Sequence, residues 1–376
     1  ATLRRAKGMK FGPQAGFTVG CEWELQLVRS DSLELADGIL ALLGKIDNHA
    51  LIKLEFLQCC IEINTPPCNS AAAIETELQR VLAIIRENAD PLGVRLVGAG
   101  THPFDSKPAI VTPSARYLLH SDARGGSVAV HPVTFATHIH VACKSGDAAI
   151  RAMRRMSPLI PAMLAIGANS PFWHGIDTQY VSFRQRLLAA NPTYGLPPYF
   201  NTWEDFNRML AAAKRTGGYE TFRDLHWDIR PHGDIGTLEI RTLDSQIDAH
   251  RNAQIAALVR SLVAVASDEN TADSAFPPQL PHWMELENHF AASKAGLEAS
   301  LITSIEGHTT PMLQVIEQLL DTCRSTATHL GDGPLLQELE ESVMQQNGAR
   351  RQREVLDRRH SFEDVTRFLA DNILSN

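Results

Sequence analysis

The residues best suited to chemistry lie in one stretch, LHWDIRPHGDIGTLEIRTLD, at positions 225–244. Its second half alternates like a β-strand, so Glu239 and Arg241 project from the same face. Asp228 and Arg230 share a face in the same way, provided that the first half is also extended. One strand pair would then carry two acids and two arginines. For an isolated E-x-R motif, a ladder of solvated surface ion pairs is the ordinary alternative.

Three other strand-like segments also carry charged or imidazole side chains, and this repetition favours a shared site over independent surface pairs. In the first and third segments the two side chains are two residues apart, so they project from one face. A strand face exposed to water stays open as the alternative for the first segment, and a structural role for the third. The segments are 17–28 with Glu22 and Glu24, 53–67 with Glu55 and Glu62, and 134–143 with His138 and His140.

The second of these segments conflicts with simple alternation. Glu55 and Glu62 are seven residues apart, and a regular strand would place them on opposite faces. Both reach one site only if Glu55 lies in a preceding loop or if a bulge intervenes. Including Glu55 in the site therefore depends on a break in the strand.

The residue types point to a particular class of metal and ligand. Carboxylate oxygens with few imidazoles and no thiolates suit Mg²⁺ or Mn²⁺ better than Zn²⁺ or an iron–sulfur cluster. Four or five acids can share one site only if divalent cations neutralise them, and such clusters commonly hold nucleoside triphosphates. The chain has neither a G-x-x-x-x-G-K-[ST] nor a G-x-G-x-x-G motif. ATP would therefore bind through metals and arginines on an antiparallel sheet.

Helical segments alternate with these strands, which predicts an α+β fold. Residues 108–130 have little apolar period, and loops of that length often serve as lids or substrate loops. Apolar residues at helical spacing predict the helices. The predicted helices are 31–48, 69–90, 148–168, 203–215 and 248–269, and after about Ala272 the chain is expected to be helical to its end.

The composition and charge of the chain indicate which kinds of partner and which cellular compartment to expect. The 376 residues are 44% hydrophobic and 21% charged, which suits a soluble globular protein. A net charge of −8 argues against a nucleic-acid partner, because such proteins normally carry a basic excess. No signal peptide is visible, and no apolar run approaches the roughly 18 residues that span a bilayer. The six cysteines contain no C-x-x-C pair and suit buried, reduced thiols, so we expect a cytoplasmic protein without a membrane partner.

Six motifs resemble, in order, those of the type-2 glutamate–cysteine ligases, in particular the YbdK-like carboxylate–amine ligases. They cover roughly residues 17–260, and the helical region that follows is similar as well. Each motif alone is weakly specific, but six in family order are highly specific. The motifs are VGCEWELQLV, EFLQCCIEINTPPC, GAGTHPF, HIHVAC, SPFWHGIDTQYVSFR and LHWDIRPHGDIGTLEIRTLD.

The resemblance implies a glutamine-synthetase-like catalytic fold, in which an antiparallel sheet curves into a funnel with helices packed outside. A single domain would then span residues 1–376, with the catalytic sheet within 17–260 and a helical region at 272–376. The resemblance also implies ligation that depends on ATP and Mg²⁺, with Mn²⁺ as an alternative metal. A glutamate-like carboxylate would attack the γ-phosphate to give an acyl phosphate, and an amine would then displace phosphate. Ligases of this family are often dimers, so a homodimer is a further expectation.

The resemblance also implies roles for individual residues. Arg241 would stabilise charge on the transferring phosphoryl group, and Glu239 would act beside it. Trp23 stands between two of the glutamates, where smaller or acidic residues are common in the family, and could reshape the substrate pocket. The implied metal ligands are Glu22, Glu24, Glu55, Glu62, His138 and Glu239, and the implied neighbours of substrate or nucleotide are His140, Arg184, Asp228 and Arg230.

Two other functions are compatible with the same residues. A phosphotransferase of the guanidino-kinase type would stop at a phosphorylated product. A non-catalytic nucleotide-binding or metal-binding homologue would need only part of the site. The retention of Glu22, Glu24, Glu62, Glu239 and Arg241 together argues against this last alternative, because a decayed site should have lost some of them.

Overall fold

A computed structural model of the chain describes residues 9–12, 16–47, 50–114, 117–118, 133–191, 193–217 and 221–373. Most of the loop expected at 108–130 therefore lies outside the described residues. None of the helices within these ranges is both long enough and apolar enough to cross a membrane. All six cysteines lie within them, and each is buried and unpaired, as the sequence predicts.

An antiparallel sheet of seven strands organises the described part of the chain. Its strands are β1 (Val19–Arg29), β2 (Ile52–Leu54), β3 (Cys60–Asn64), β4 (Val94–Val97), β5 (Ala136–Ala142), β10 (Ile229–His232) and β11 (Thr237–Asp244). The spatial order is β10, β11, β5, β1, β3 and β2, while β4 pairs with the second half of β1. Short strands form two further pairs, β6 (Phe172–Trp173) with β7 (Ile176–Asp177) and β8 (Tyr194–Gly195) with β9 (His226–Trp227).

Helices connect and cover these strands. Several begin with a side-chain cap, since Ser70 accepts a hydrogen bond from Ala73 N and Asp248 accepts one from Arg251 N. The helices are α1 (Ile39–Leu43), α2 (Ala71–Ala89), α3 (Gly146–Met156), α4 (Ile160–Gly167), α5 (Phe183–Leu188), α6 (Trp203–Arg215), α7 (Ala249–Ser267), α8 (His282–Ala295), α9 (Met312–Leu330), α10 (Gly333–Val343), α11 (Gly348–Arg359) and α12 (Phe362–Asn372).

The core lies on one face of the sheet, under α2 and α7. Alternate residues of β1, including Cys21, Trp23 and Leu25, are buried there in one apolar cluster with residues of both helices. Burying a large apolar side chain contributes about 1.5–3 kcal/mol, so this alternation fixes which face of β1 points inward. The other face of β1 is left to its charged residues.

The strand predicted over 53–67 is wrong as a single element, because the structure contains two strands there, β2 and β3. They pair with one another antiparallel, and the chain between them turns at Leu57, whose carbonyl accepts a hydrogen bond from Cys60 N (3.0 Å). Glu55 follows the end of β2, whereas Glu62 lies within β3. The break that the site requires is therefore present, and the odd spacing no longer separates these two acids.

The helix predicted over 31–48 is wrong for most of its length, because only Ile39–Leu43 is helical among the described residues 31–47. The residues before it turn back against β1, and Arg29 N donates to the carbonyl of Glu34 (2.8 Å). Leu33 is buried in this turn with a positive φ of 61°. Its burial supplies the apolar period that suggested a helix, although the backbone there is not helical.

The C-terminal region is mostly helical, as predicted, but it also contains a β-hairpin. Strands β12 (Ser300–Ile302) and β13 (Thr309–Pro311) pair antiparallel between α8 and α9. Gly307 adopts a positive φ of 85° in the connecting turn, a conformation that glycine reaches without steric cost. The expectation that the region after about Ala272 is entirely helical is therefore wrong at this point.

A buried ion pair ties the C-terminal helices to the core. Arg260 on α7 places Nη1 2.7 Å from Oδ2 of Asp332, which precedes α10, and both side chains are almost fully buried. The other Asp332 oxygen accepts a hydrogen bond from Ala71 N at the start of α2, and Arg260 Nε donates to the carbonyl of Phe17. One carboxylate thus holds two helix starts and an arginine together.

Removing the negative charge of this pair should strongly destabilise the fold. Asp332→Asn leaves the guanidinium of Arg260 buried without a counter-charge, so the free energy of unfolding should fall by about 3–5 kcal/mol in urea titrations. Asp321→Asn is the matched control, because Asp321 pairs with Arg324 at the surface and should contribute about 1 kcal/mol or less. Equal effects of the two substitutions would contradict the structural role of the buried pair.

Candidate functional site

The register of β1 against its two neighbours gathers four of the predicted site residues. Glu22 lies directly opposite His138 of β5, and Glu24 lies directly opposite Glu62 of β3. Residues that face each other across an antiparallel pair project from the same side of the sheet. These four side chains therefore form one continuous patch on the face opposite the apolar core.

The register of β11 extends the same patch. Glu239 lies opposite His140 of β5 on one side and opposite Arg230 of β10 on the other. Arg241 follows two residues after Glu239, and its N–H donates to the carbonyl of Asp228 (2.7 Å). Arg230 of β10 therefore lies beside Glu239 and Arg241 of β11, while Asp228 lies in the bend between β9 and β10. Together with the β1, β3 and β5 residues, the two arginines and Glu239 make one charged face.

Within this face, the side chains of Glu22, His140 and Glu239 converge on one point. One donor atom from each lies within 4.8 Å of the others. His140 Nε2 is 3.4 Å from Glu22 and 3.8 Å from Glu239, while His140 Nδ1 lies 3.0 Å from the hydroxyl of Thr237. Although Nε2 is buried, it has no hydrogen-bond partner. A ring nitrogen without a partner between two carboxylates is the arrangement expected of a metal ligand.

A second convergence involves Glu24, Glu55 and Glu62, which also bring one oxygen each within 4.8 Å. Neutral donors hold two of these carboxylates in place. Ala136 N donates to Glu24 (2.7 Å), and the side-chain amide of Asn64 donates to Glu62 (2.5 Å). The ammonium of Lys53 approaches Glu62 only to 3.9 Å from a half-exposed position.

The two groups differ in how much of their negative charge the protein itself neutralises. Burial raises the pKa of Glu24 and of Glu55 to about 7, and burial together with the charge of Glu55 raises the pKa of Glu62 well above its usual range. Burial also opposes ionisation of Glu22, but the imidazoles of His140 and His138 hold its pKa well below the usual range. The first group is therefore largely compensated, whereas the cation at ion-pair distance from the second group is the half-exposed ammonium of Lys53.

Two arginines supply most of the compensation at Glu239. Arg230 donates from Nε and Nη2 to one oxygen of Glu239 (2.9 and 2.7 Å), and Arg241 donates to the other. Despite its burial, the pKa of Glu239 therefore lies well below the usual range. Arg230 is also held by the carbonyl of Leu225 (2.7 Å), whereas Arg241 makes its remaining contact with His138 (3.4 Å). Arg241 is thus the arginine that faces the open side of the patch.

Two predicted site residues lie at the margin of this face. Asp228 places a carboxylate oxygen 3.1 Å from Nε2 of His289 on α8. Arg184 is buried beneath β11, where its guanidinium donates to the carbonyls of Arg241 and Thr242 (3.3 and 3.4 Å). Asp228 is next to Arg241 because its carbonyl accepts a hydrogen bond from Arg241 N. Arg184 is next to Arg241 because its guanidinium donates to the Arg241 carbonyl.

The sequence interpretation omitted three residues that contact this face. The position of Asn64 could have been predicted from the sequence, because it follows Glu62 by two residues on the same strand and so projects from the same face. Thr237 could have been predicted in the same way, since it lies two residues before Glu239. His289 could not, because it comes from a distant helix and meets Asp228 only in the folded chain. Trp23, by contrast, points to the opposite face, where its indole donates to Ser245 and to the carbonyl of Gln246.

The donor sets of the two groups fit divalent cations. Three carboxylates in one group and two carboxylates with one imidazole in the other match the preference of Mg²⁺ and Mn²⁺ for oxygen-rich sites. The unpartnered Nε2 of His140 and the uncompensated charge of the second group both fit a bound cation. The resemblance implied His138 as a ligand and His140 as a neighbour of the nucleotide, whereas the geometry gives His140 the more central position.

Comparison with known proteins gives a consistent set of matches. The family model described as glutamate-cysteine ligase family 2 matches residues 18–371. A protein of Trichormus variabilis, provisionally named glutamate–cysteine ligase 2, is 36% identical over 368 residues, which cover 97% of this chain and 95% of the relative. A similarly named protein of Rubrobacter xylanophilus is 34% identical, with 96% of this chain and 98% of the relative covered.

Solved structures share the fold at low sequence identity. A glutamate–cysteine ligase of Francisella tularensis in complex with AMP superposes with a TM-score of 0.70 at 14% identity, covering 98% of this chain and 90% of that chain. A bifunctional glutathione synthetase of Pasteurella multocida gives the same TM-score and identity, covering 94% of this chain and 52% of that chain. The predicted α+β fold built on an antiparallel sheet is therefore confirmed.

The uncompensated group predicts a specific pH dependence. Because the pKa of Glu62 is raised in the folded protein, its contribution to stability is present below its ordinary pKa of 4.5 and is lost as pH rises through the folded value. In metal-free protein, Glu62→Gln should therefore gain stability relative to wild type as pH increases from about 5 to 8. Urea unfolding in the presence of a chelator measures this difference.

The matched control is Glu77→Gln, because Glu77 forms an exposed pair with Arg80 on α2. Its stability relative to wild type should not rise with pH. Mg²⁺ or Mn²⁺ should restore the stability of wild-type protein at pH 8 and have a smaller effect on Glu62→Gln. A wild-type protein with the same pH profile as Glu62→Gln would show that the three acids are not mutually repelling.

Proposed function

Because the chain belongs to glutamate-cysteine ligase family 2, and is thus a carboxylate–amine ligase of the glutamate–cysteine ligase type, we propose that it forms an amide bond at the expense of ATP, with Mg²⁺ as the metal. The proposed acid is glutamate, which is activated as an acyl phosphate before an amine displaces phosphate. The observation that carries this proposal is that two groups of metal-type ligands lie beside Arg241 on one sheet face. Phosphoryl transfer needs cations around the phosphates and a guanidinium where charge develops, and this face offers ligands for such cations together with the guanidinium of Arg241.

The metals would be held by the two groups of side chains. Glu24, Glu55 and Glu62 would hold one Mg²⁺, and Glu22, His140 and Glu239 would hold another, with His138 beside the second group at 3.3 Å from Glu22. When bound, such ions neutralise phosphate oxygens and orient the γ-phosphate for transfer. Mn²⁺ has similar ligand preferences and is the proposed substitute.

The protein residues around the second group would have positioning roles. Arg230 holds one oxygen of Glu239 through two hydrogen bonds and so fixes the orientation of that carboxylate. Thr237 similarly fixes the imidazole of His140 through Nδ1, which leaves Nε2 directed at the two carboxylates. These contacts prepare the ligands before metal or nucleotide arrives, and preorganised sites of this kind avoid a reorganisation cost during the reaction.

Arg241 would supply the charge for the reacting phosphoryl group. Its guanidinium is anchored by Glu239 on one side, and its side chain keeps 15% of its surface exposed, more than the 7% of Arg230. Arg184 supports the same strand from below by binding the carbonyls of Arg241 and Thr242. Arg241 could therefore meet a γ-phosphate without leaving its strand.

The substrates are proposed from the family rather than from a pocket of defined shape. The named relatives are glutamate–cysteine ligases, which supports glutamate as the acid and an amino compound as the amine. The margin of the charged face, where Asp228 meets His289, is a suitable place for a substrate ammonium group.

Two alternatives make different predictions about the product. A phosphotransferase of the guanidino-kinase type would release a stable phosphorylated compound, and a non-catalytic homologue would release no ADP with any acid or amine. The ligand geometry at both groups is intact, which favours a working enzyme over a non-catalytic homologue. The family membership favours ligation over simple phosphotransfer.

A product assay distinguishes these functions. Protein with Mg²⁺ and ATP is incubated with glutamate and a panel of amines, and phosphate release is followed together with mass spectrometry of the products. The proposal predicts amine-dependent release of ADP and phosphate together with a new amide. A stable phosphorylated product would indicate the phosphotransferase, and the absence of turnover across a broad panel of acids and amines would favour the non-catalytic alternative.

Substitution of the two charged residues at the centre of the site should abolish turnover. Arg241→Ala should raise the activation barrier by about 3 kcal/mol or more, a rate loss of at least 100-fold, because the transferring group loses its guanidinium. Glu239→Ala should have a similar effect by removing a metal ligand. Circular dichroism should show folded protein in both variants.

Arg223→Ala is the matched control for these substitutions. Arg223 lies just before the β10–β11 hairpin and pairs with Asp234 at the surface, with half of its side chain exposed. Its removal changes the net charge as much as Arg241→Ala does but should leave turnover close to wild type. Wild-type activity in Arg241→Ala or Glu239→Ala would contradict the proposed site.

A further inference from the structure

A polar cavity lies apart from the charged face. It is a cleft of about 200 Å³ between the start of α7 and the loop that joins α10 to α11. Arg251, Gln254, Ser342, Asn347 and Arg351 contribute to its lining. None of the residues that line it belongs to the two metal-type groups or to the arginines beside them.

Two arginines bring uncompensated positive charge to this cleft. Arg251 donates only to neutral acceptors, namely the hydroxyl of Ser342 (2.7 Å), the amide oxygen of Gln254 (3.1 Å) and the carbonyl of Ile166 (3.4 Å). The guanidinium of Arg351 packs over the ring of Phe368 at 5.5 Å. Within the described ranges, no carboxylate lies at ion-pair distance from either guanidinium.

The other charged groups of the cleft do not cancel this excess. Asp248 is the acid in the lining, and one of its oxygens already caps α7 by accepting from Arg251 N (2.7 Å). His250 is flanked by Glu75 and Glu338, each 2.9 Å from one of its ring nitrogens, and neither glutamate lines the cleft. Among the lining residues, two guanidinium groups therefore face one carboxylate.

The backbone adds to the positive potential. Helix α7 has 19 residues and α11 has 12, and the residues that begin both helices, Asp248 for α7 and Asn347 with Gly348 for α11, line the same cleft. The first N–H groups of a helix are unpaired within it and carry the positive end of its dipole. Asp248 and Asn347 already accept from Arg251 N and Arg350 N, so only the remaining first-turn N–H groups add to the positive charge of the two arginines.

We propose that this cleft binds a small dianion of the phosphate type, held by Arg251 and Arg351 between the N-termini of α7 and α11. Guanidinium groups match the oxygens of a phosphate through paired hydrogen bonds, and the cleft is large enough for a phosphate group with a small substituent. The site does not depend on the proposed ligase function, since it shares no residue with the candidate active site.

Calorimetric titration with inorganic phosphate at constant ionic strength tests this site in the full chain. The Arg241→Ala background is used alongside wild type, so that phosphate bound at the candidate active site contributes little heat. Arg351→Gln should weaken phosphate binding at least ten-fold. Arg350→Gln is the matched control, because the guanidinium of Arg350 is exposed and lies outside the cleft, 3.6 Å from Glu354. This variant should bind phosphate as tightly as the background protein does.

A second variant tests the site without removing an arginine. Ser342→Asp places a carboxylate beside Arg251 and should also weaken binding at least ten-fold, while circular dichroism reports folded protein. Loss of the same binding event in Arg351→Gln and Ser342→Asp, with retention in Arg350→Gln, would support the proposal. Undetectable phosphate binding in the background protein, or equal binding in all three variants, would overturn it.

Discussion

Mutual repulsion among partly or fully buried carboxylates is the constraint on which the rest of this structure depends. Five glutamates share one face of an antiparallel sheet, and each loses hydration there. Two of them, Glu22 and Glu239, are compensated by the imidazoles and arginines of β5, β10 and β11. The other three have no comparable partner, and this difference is the reason for proposing a bound cation beside them.

The sheet makes this arrangement possible by separating two chemistries across its thickness. Apolar residues of β1 pack under α2 and α7, and that burial fixes the direction of Glu22 and Glu24 on the opposite side. Direct cross-strand pairing then sets the neighbours of each acid, so a shift of one residue in any strand would send its charges into the core. The apolar core therefore determines the geometry of the charged face.

Much of this face could be predicted from two-residue spacing alone. Glu22 with Glu24, His138 with His140 and Glu239 with Arg241 each project together because strands alternate, and the structure places all three pairs as expected. The helix predicted at 31–48 failed because a buried turn at Leu33 imitates helical spacing.

Other features depend on tertiary contacts that local spacing does not encode. Glu55 reaches the other acids only because β2 and β3 form a hairpin, which the spacing of Glu55 and Glu62 does not encode. His289 contacts Asp228 from a helix about 60 residues further along the chain. Arg184 has the sequence position of a ligand-binding residue, yet its guanidinium lies under β11. The distinction between a compensated and an uncompensated group of acids likewise appears only once the register is known.

Crystals soaked with Mn²⁺ and a non-hydrolysable ATP analogue would test the central claim most directly, through anomalous scattering from the metal. The account predicts one manganese peak among Glu24, Glu55 and Glu62 and another among Glu22, His140 and Glu239, with the triphosphate beside Arg241. Manganese bound elsewhere, with both groups of carboxylates free of metal, would contradict it.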